Sequence, residues 1–217
     1  MMTSKQTPAS GRTGRAPTFT EAARREQIIG LTIDLIAERG IARTTLALIA
    51  EAAGVTKPAV LYFFGTKDAV IKAACAHALG SAVEAIAQAV MAAPTPTAAV
   101  AAYVRSTVQF TIEHPSQIKV MTEMLTSDQD LVTQSAEAIG EEPAPQWQAL
   151  AGLIEQAQRG GELSPADPRT AAIGLIGATN AIVGEWFSDP SFDLRAATDE
   201  VLRLFFRATT ADHPAET

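Results

Sequence analysis

The residues whose types and spacing could do chemistry are concentrated in one segment, Thr44 to Lys67, which reads TTLALIAEAAGVTKPAVLYFFGTK. Apolar residues in its first half recur every three or four positions, Gly54 follows, and a second apolar pattern begins after Thr56. The spacing predicts two short helices joined by a tight turn, with Thr45 and Thr56 as their N-caps. In such a helix-turn-helix unit the second helix, here Lys57 to Phe63, lies in the major groove of DNA, so its chemistry is recognition by contact.

No catalytic or metal-binding pattern accompanies this unit. The three histidines, His77, His114 and His213, are widely scattered, and none has a second metal ligand three or four residues further along a helix. Nucleophile-elbow, Walker-type and dinucleotide-binding motifs do not occur. The neighbouring acids Glu141 and Glu142 lie in a proline-bounded polar loop, which favours a solvated surface. We therefore predict that the protein is not an enzyme and needs no metal or cofactor.

Composition and charge agree with a DNA-binding unit joined to a separate body. The chain has 217 residues, 47% of them hydrophobic, and a formal net charge of -7. Residues 1–72 hold 10 Lys+Arg against 6 Asp+Glu, whereas the remainder holds 7 against 18. A basic segment can follow phosphates while an acidic body stays clear of the duplex. No apolar run reaches the length of a membrane span and the N-terminus lacks a signal-peptide core, so we predict a cytoplasmic protein without membrane contact.

The elements that must position this unit are all predicted to be helices. One runs from a capping box at Thr18 and Glu21 to Gly40, and a long alanine-rich helix runs from Thr66 to Met91. Further helices are predicted at about 97–113, 116–127, 146–159, 168–187 and 194–208, and the polar stretch 127–144 is interpreted as a helix followed by a loop. The lone Cys75 is predicted to be a small buried side chain. The fold class is thus all-α, with about nine to ten helices, divided into a disordered basic arm (1–17), a helix-turn-helix DNA-binding domain (18–66), a helical effector-binding and dimerisation domain (67–210) and a disordered tail (211–217).

The run IAEAAGVTKPAVLYFFGTKDAVIKA, together with the preceding helix that ends in Arg39-Gly40, resembles the DNA-binding domain of the TetR family of transcriptional regulators over roughly residues 20 to 75. The resemblance implies a homodimeric regulator, usually a repressor, that binds a palindromic double-stranded operator and is released by a small-molecule effector. Family members usually carry tyrosine and histidine where this chain has Leu61 and Phe63.

Family positions also imply which side chains contact DNA. Lys57 is expected at guanine or phosphate, Ala59 against a thymine methyl group and Tyr62 on a base or sugar. Thr45, Thr56 and Lys67 are expected at phosphates, while Pro58 positions the helix. The complete set of expected DNA-binding residues is Arg43, Thr45, Thr56, Lys57, Pro58, Ala59, Tyr62, Phe63 and Lys67.

A stripe of small residues marks the helix at 168–187. Gly174, Gly177, Ala181 and Gly184 lie on one side of it, which indicates close approach by another helix, and core packing within one chain is the alternative explanation. Two helices near the C-terminus form a four-helix dimer bundle in the TetR family, so we favour a subunit interface. The expected interface residues are Leu153, Ile154, Ile173, Gly174, Ile176, Gly177, Asn180, Ala181 and Gly184.

Apolar and aromatic residues on converging helices predict a site for a mainly apolar effector with one or two polar groups. Its expected lining is Tyr103, Phe110, Met121, Met124, Trp147, Leu150 and Trp186, with Glu123, Thr179 and Asn180 orienting the ligand. Three alternative hypotheses stay open. The first is that the two short helices are an ordinary helical corner. The second is that the protein is a helical ligand carrier or enzyme without a role on DNA, and the third is that it binds DNA without a small-molecule effector. An enclosed pocket in the body would separate these possibilities.

Overall fold

The computed structural model describes residues 19–127, 129–142 and 144–209, and these form ten helices without a strand. The helices are α1 (Phe19–Arg39), α2 (Leu46–Ala52), α3 (Lys57–Phe64), α4 (Lys67–Met91), α5 (Pro96–Glu113), α6 (Pro115–Ser127), α7 (Gln129–Ala138), α8 (Gln148–Arg159), α9 (Pro168–Ser188) and α10 (Leu194–Thr209). The all-α prediction is confirmed. The arm (1–17), Thr18, His213 and the tail (211–217) lie outside the described residues.

Threonine side chains cap four consecutive helices, α2 to α5, and the first three of these caps lie in or next to the helix-turn-helix unit. The hydroxyl oxygens of Thr45, Thr56 and Thr66 accept the backbone N–H three residues further on, at 3.3, 3.4 and 3.1 Å. Since the first N–H groups of a helix have no partner within it, each cap satisfies one of them. Gly54, with φ +62°, reverses the chain between α2 and α3 in a conformation that favours glycine. The predicted caps and turn of the helix-turn-helix unit are confirmed.

Three clusters of buried apolar side chains hold the helices together. Helices α1, α2 and α3 are together called the reading unit. The reading-unit cluster joins them to the start of α4, and consists of Ile28, Ile49, Ala50, Ala53, Val60 and Val70. The junction cluster joins α1, α4 and α6, and consists of Ile29, Ile33, Ile36, Ile71, Ala74, Cys75, Ala78, Val120 and Met124. The body cluster joins α5, α8, α9 and α10, and includes Val100, Val104, Leu150, Ile154, Leu175 and Leu202. Cys75 is fully buried, as predicted.

The long helix α4 owes its apolar composition to packing. Among the described residues, α4 alone and α2 with α3 as a bent pair are apolar and long enough to cross a membrane by length and composition. Core helices of proteins outside membranes pass the same test. Val70, Ile71, Ala74 and Cys75 of α4 are buried against α1 and its neighbours, so we attribute the hydropathy of the helix to the two clusters it joins.

Helix boundaries differ from the predictions mainly where proline or a polar stretch intervenes. α5 and α6 begin at Pro96 and Pro115, one residue earlier than predicted, because proline fits the first position of a helix. α8 begins at Gln148, two residues later than predicted. The polar stretch contains α7 at Gln129–Ala138, and Glu141 and Glu142 are exposed and outside any helix, as predicted.

One hydrogen bond connects α6 to the turn that precedes α2. The backbone N–H of Ile41 donates to Oε1 of Glu123 at 2.7 Å, between residues 82 positions apart. A Cβ atom on Gly40, which has φ +84°, would lie only 3.0 Å from the same oxygen, so the close contact requires glycine there. Glu123 can accept this hydrogen bond because α6 packs alongside α1, and its expected role in orienting a ligand stays a prediction.

We expect Glu123→Ala to lower the free energy of unfolding by about 1–3 kcal/mol, because the part-buried N–H of Ile41 loses its acceptor. Urea denaturation measures this change. The matched control is Glu137→Ala on α7, an exposed carboxylate, which should change stability by less than about 0.5 kcal/mol. Equal losses in both variants would show that the Glu123 hydrogen bond contributes nothing specific.

Candidate nucleic-acid interface

Helix α3 lies on the surface and faces inward mainly through one residue. Val60 is fully buried in the reading-unit cluster, whereas Lys57 and Pro58 at the start of the helix are exposed. Tyr62 has 74% of its surface exposed, and Ala59 is partly exposed. A helix held in this way presents its first turn and outer face to solvent, which is the part of a recognition helix that contacts base edges.

The expected phosphate-contacting residues lie at helix N-termini. Thr45 precedes α2, Thr56 precedes α3 and Lys67 is the first residue of α4. Helix N-termini carry unpaired N–H groups and a partial positive charge, so they favour anions. The two exposed cap threonines use an oxygen lone pair for the cap, which leaves the hydroxyl hydrogen to donate to a phosphate.

Arg43 occupies the turn between α1 and α2 on the exposed surface. Its Nε donates to the backbone carbonyl of Arg39 at 2.6 Å, an oxygen at the C-terminal end of α1. This bond satisfies a carbonyl that the helix leaves unpaired and fixes the direction of the side chain. The remaining guanidinium N–H groups can still donate to an anion.

The tyrosine of α3 is connected to α1 through a contact that sequence reasoning missed. The hydroxyl of Tyr62 donates to Oε1 of Glu21 at 3.2 Å, and the two residues are 41 positions apart. No local spacing signals such a pair, and the sequence suggested only a capping role for Glu21. The contact places a carboxylate beside the exposed face of α3.

Phe63 lies partly inside the structure. Its ring packs against the reading-unit cluster and meets the edge of the Tyr62 ring, with centroids 5.2 Å apart. The histidine common at this family position could have faced the DNA backbone, whereas an apolar ring gains more from burial. Phe63 is therefore placed to support Tyr62 instead of lying on the open face of α3.

The expected interface stripe on α9 faces away from the rest of its own chain. Gly174, Gly177, Ala181, Gly184 and Asn180 are exposed, and a Cβ atom added at any of the three glycines would meet nothing within 4 Å. Exposed apolar side chains continue the same surface, with Ile173 at 47% and Phe187 at 39% exposure. Packing within one chain does not account for the small residues.

Three of the other expected interface residues lie deeper. Ile154 is only 1% exposed and belongs to the body cluster, so the expectation that it contacts a partner is wrong. It points to the inner side of α8, where it packs with Leu150 and Leu175. Leu153 and Ile176 are partly buried against the same cluster and keep some surface toward solvent.

The residues expected to line one apolar pocket do not converge. Tyr103, Trp147 and Leu150 belong to the body cluster or pack on it, while Met121 and Met124 belong to the junction region. Burial raises the pKa of Tyr103, because an ionised phenol would lose its hydration there.

The remaining expected ligand-binding residues also lie apart. Phe110 lines a cleft between α4 and α5, and Trp186 lies beside Phe187, with ring centroids 5.1 Å apart. Thr179 is buried and donates to the carbonyl of Leu175 at 2.8 Å, whereas Asn180 is on the outer face of α9. The side chains share helical phase but lie in separate parts of the structure, and their role in binding a ligand stays a prediction.

The described residues hold no group of three or more histidine, cysteine or acidic side chains that could bind a metal ion.

Comparison with solved structures shows the fold. The chain superposes on the fatty acid degradation regulator FadR of Bacillus halodurans with a TM-score of 0.71 at 22% identity, covering 88% of this chain and 97% of that one. The ketosteroid transcriptional regulator KstR2 of Mycobacterium tuberculosis gives a TM-score of 0.71 at 17% identity, covering 87% and 96%. A TetR-like transcriptional regulator of Rhodococcus sp. RHA1 gives 0.68 at 23% identity, covering 89% and 98%.

The sequence similarity to the family lies in the N-terminal part of the chain. The HTH-type transcriptional regulator BetI of Stenotrophomonas maltophilia is 41% identical over 68 residues, which is 31% of this chain and about a third, 35%, of that protein. Residues 28–74 match the family described as bacterial regulatory proteins, tetR family. The matched residues contain α2, α3 and the caps that present the exposed face of α3, so it is this part of the chain that is similar to the family.

Proposed function

We propose that the protein is a sequence-specific transcriptional regulator that binds double-stranded DNA through α3 and acts as a repressor. The observation that carries this proposal is the exposed N-terminal face of α3, held outward by the burial of Val60 and begun by the Thr56 cap. In this arrangement Lys57, Ala59 and Tyr62 contact bases, while Arg43, Thr45, Thr56 and Lys67 contact phosphates. The DNA-binding domain corresponds to residues 18–66, and residues 67–210 form the body. The protein acts in the cytoplasm.

The exposed surface of α9 supports a homodimer. Small residues flanked by Ile173 and Phe187 allow a second α9 to approach closely, and α8 contributes Leu153 at the edge. A two-fold dimer places two copies of α3 about 34–36 Å apart, or a multiple of this, and so reads a palindromic operator.

Control by a small molecule is supported by the connection between body and reading unit. α4 belongs to both the reading-unit and junction clusters, so a ligand that favours one position of α4 changes the separation of the two α3 helices in the dimer. The body has clefts of about 410 and 510 Å³ beside α4 and α5, a size suited to small molecules. These clefts are open to solvent, which keeps a regulator without an effector as the second candidate.

Removing the two principal reading side chains should weaken operator binding. We expect Lys57→Ala and Tyr62→Ala each to cost about 1–3 kcal/mol of specific binding, because each loses contact with a base, without lowering thermal stability. Fluorescence anisotropy titration of an operator selected from random DNA measures the affinity, which should also fall as salt rises.

The control for this experiment is Lys119→Ala, an exposed lysine on α6 far along the chain from the reading unit. It removes the same charge and should leave affinity unchanged. Unaltered operator affinity in both α3 variants, or equal weakening in all three, would remove α3 from the DNA contact.

A bulky side chain in the α9 stripe should disrupt the dimer. Leucine is favoured over glycine in a helix by about 1 kcal/mol, and the space around Gly177 is open, so Gly177→Leu should stabilise an isolated subunit. At a close helix contact the same change blocks approach, and light scattering should show monomer.

Gly30→Leu on α1, another helical glycine with open space around it, is the control and should keep the dimer. If Gly177→Leu remains a dimer with the dissociation constant of the original protein, α9 does not form the interface.

A further inference from the structure

Tyr62 lies in a stripe of side chains along the exposed side of α3. Pro58, Leu61 and Tyr62 are exposed and fall three and four residues apart, so they are neighbours on the helix surface. Val60 and Phe64, on the opposite side, pack in or against the reading-unit cluster. Of the three exposed residues, only Tyr62 has a side chain that can form a hydrogen bond. The hydrogen-bonding chemistry of this stripe is therefore that of the Tyr62 hydroxyl.

Contacts with two neighbours hold the Tyr62 side chain in place. Its ring meets Phe63 in an edge-to-face arrangement, and its hydroxyl lies 3.2 Å from Oε1 of Glu21 in the first turn of α1. One helical turn further along α1, the guanidinium carbon of Arg25 lies 4.8 Å from the centroid of the Phe64 ring. Two side chains on one face of α1 thus contact two aromatic residues of α3, and one of these contacts is directed at a polar atom.

The direction of the hydroxyl proton follows from the chemistry of this pair. An ionised carboxylate can only accept, so Tyr62 donates its proton to Glu21. A phenol has a single proton, and the lone pairs that remain on its oxygen can only accept. Tyr62 therefore presents an acceptor, with a carboxylate beside it, to a molecule that approaches α3.

Only some groups of DNA can pair with such an acceptor. Phosphate oxygens are negatively charged acceptors, and guanine and thymine present only acceptors on their major-groove hydrogen-bonding edges. Adenine and cytosine each present an exocyclic amino group there, which donates. Two acceptors that face each other where water is excluded both remain unpaired, at a cost in binding energy. The pair of Tyr62 and Glu21 thus favours a base with an amino group.

We propose that Glu21 sets the sequence preference of α3 by accepting the Tyr62 proton, so that the Tyr62 oxygen accepts a hydrogen bond from the amino group of one adenine or cytosine. The proposal rests on the DNA-binding function proposed above and names the group that Tyr62 recognises. Glu21 is a positioning residue in this arrangement, because it acts through the Tyr62 hydroxyl. The contact that the sequence assigned to a base or sugar becomes a contact with a base donor.

Base analogues in the operator test this assignment with the full chain. An operator is selected from random DNA, and each adenine is replaced in turn by purine and each cytosine by 2-pyrimidinone, which lack only the exocyclic amino group. We expect one position at which the analogue weakens binding of the original protein about tenfold in anisotropy titrations, but weakens binding of Tyr62→Phe less than about twofold. Whether this position holds adenine or cytosine identifies the base.

The comparison with Tyr62→Phe removes the effect of the analogue on the duplex itself, since both proteins meet the same DNA. Replacing guanine by 7-deazaguanine, which lacks the N7 acceptor, is the opposite probe. Coupling of Tyr62 to 7-deazaguanine would show that the hydroxyl donates to DNA and would overturn the proposal. Equal weakening by Tyr62→Phe on every sequence, with coupling to no base, would place the hydroxyl on a phosphate and would also overturn it.

Two variants of α1 separate the role of the proton from helix packing. Glu21→Ala frees the hydroxyl proton to rotate toward DNA, so the penalty for the missing amino group should fall from about tenfold to less than about twofold. Arg25→Ala removes the other contact between α1 and these aromatic residues and should keep the tenfold penalty. The same loss of preference in both variants would show that Glu21 acts only through packing, against the proposal.

Failure of this inference is distinct from failure of the proposed function. A protein that selects no sequence from random DNA refutes the regulator itself, and the reading of a base by Tyr62 with it. A protein that selects an operator but shows no coupling between Tyr62 and an amino group retains its function and loses only the assignment of Glu21.

Discussion

The structure depends on two helices that each belong to two cores at once. Ile28 and Ile29 are neighbours in α1, yet one packs in the reading-unit cluster and the other in the junction cluster, and Val70 and Ile71 divide in the same way on α4. Well-packed cores resist gradual deformation and change between discrete arrangements. The reading unit therefore cannot tilt against the body unless both clusters repack, which makes the position of α3 a property of the whole chain.

Two hydrogen bonds position α3 and the turn before α2 within this frame. The Thr56 hydroxyl accepts from the backbone at the start of α3, and a carboxylate of α6 accepts from the turn before α2. If the binding free energy of a ligand differs by several kcal/mol between two arrangements, the ligand moves the population from one to the other.

Local features were predictable from the sequence and contacts distant along the chain were not. Thr45, Thr56 and Gly54 act within three residues of themselves, so spacing alone located the helix-turn-helix unit. Glu123 has the same periodicity as a pocket-lining residue, but its partner is 82 positions away, and Tyr62 and Glu21 are separated by 41. The expectation that Ile154 lies at a subunit interface was wrong for a related reason. A single helix has an apolar face wide enough for both a core and an interface, and its sequence does not say which part of the face a residue occupies.

The junction cluster bears on how parts of this chain could be exchanged with parts of another protein. The boundary near Thr66 suggests joining the helix-turn-helix portion of one protein to the body of another. In this chain that cut would separate Ile29, Ile33 and Ile36 from the side chains of α4 and α6 they pack against, and would take Glu123 from the Gly40–Ile41 turn. A chimera that preserves folding must carry the junction cluster as one piece, so the exchangeable module is larger than the helix-turn-helix segment.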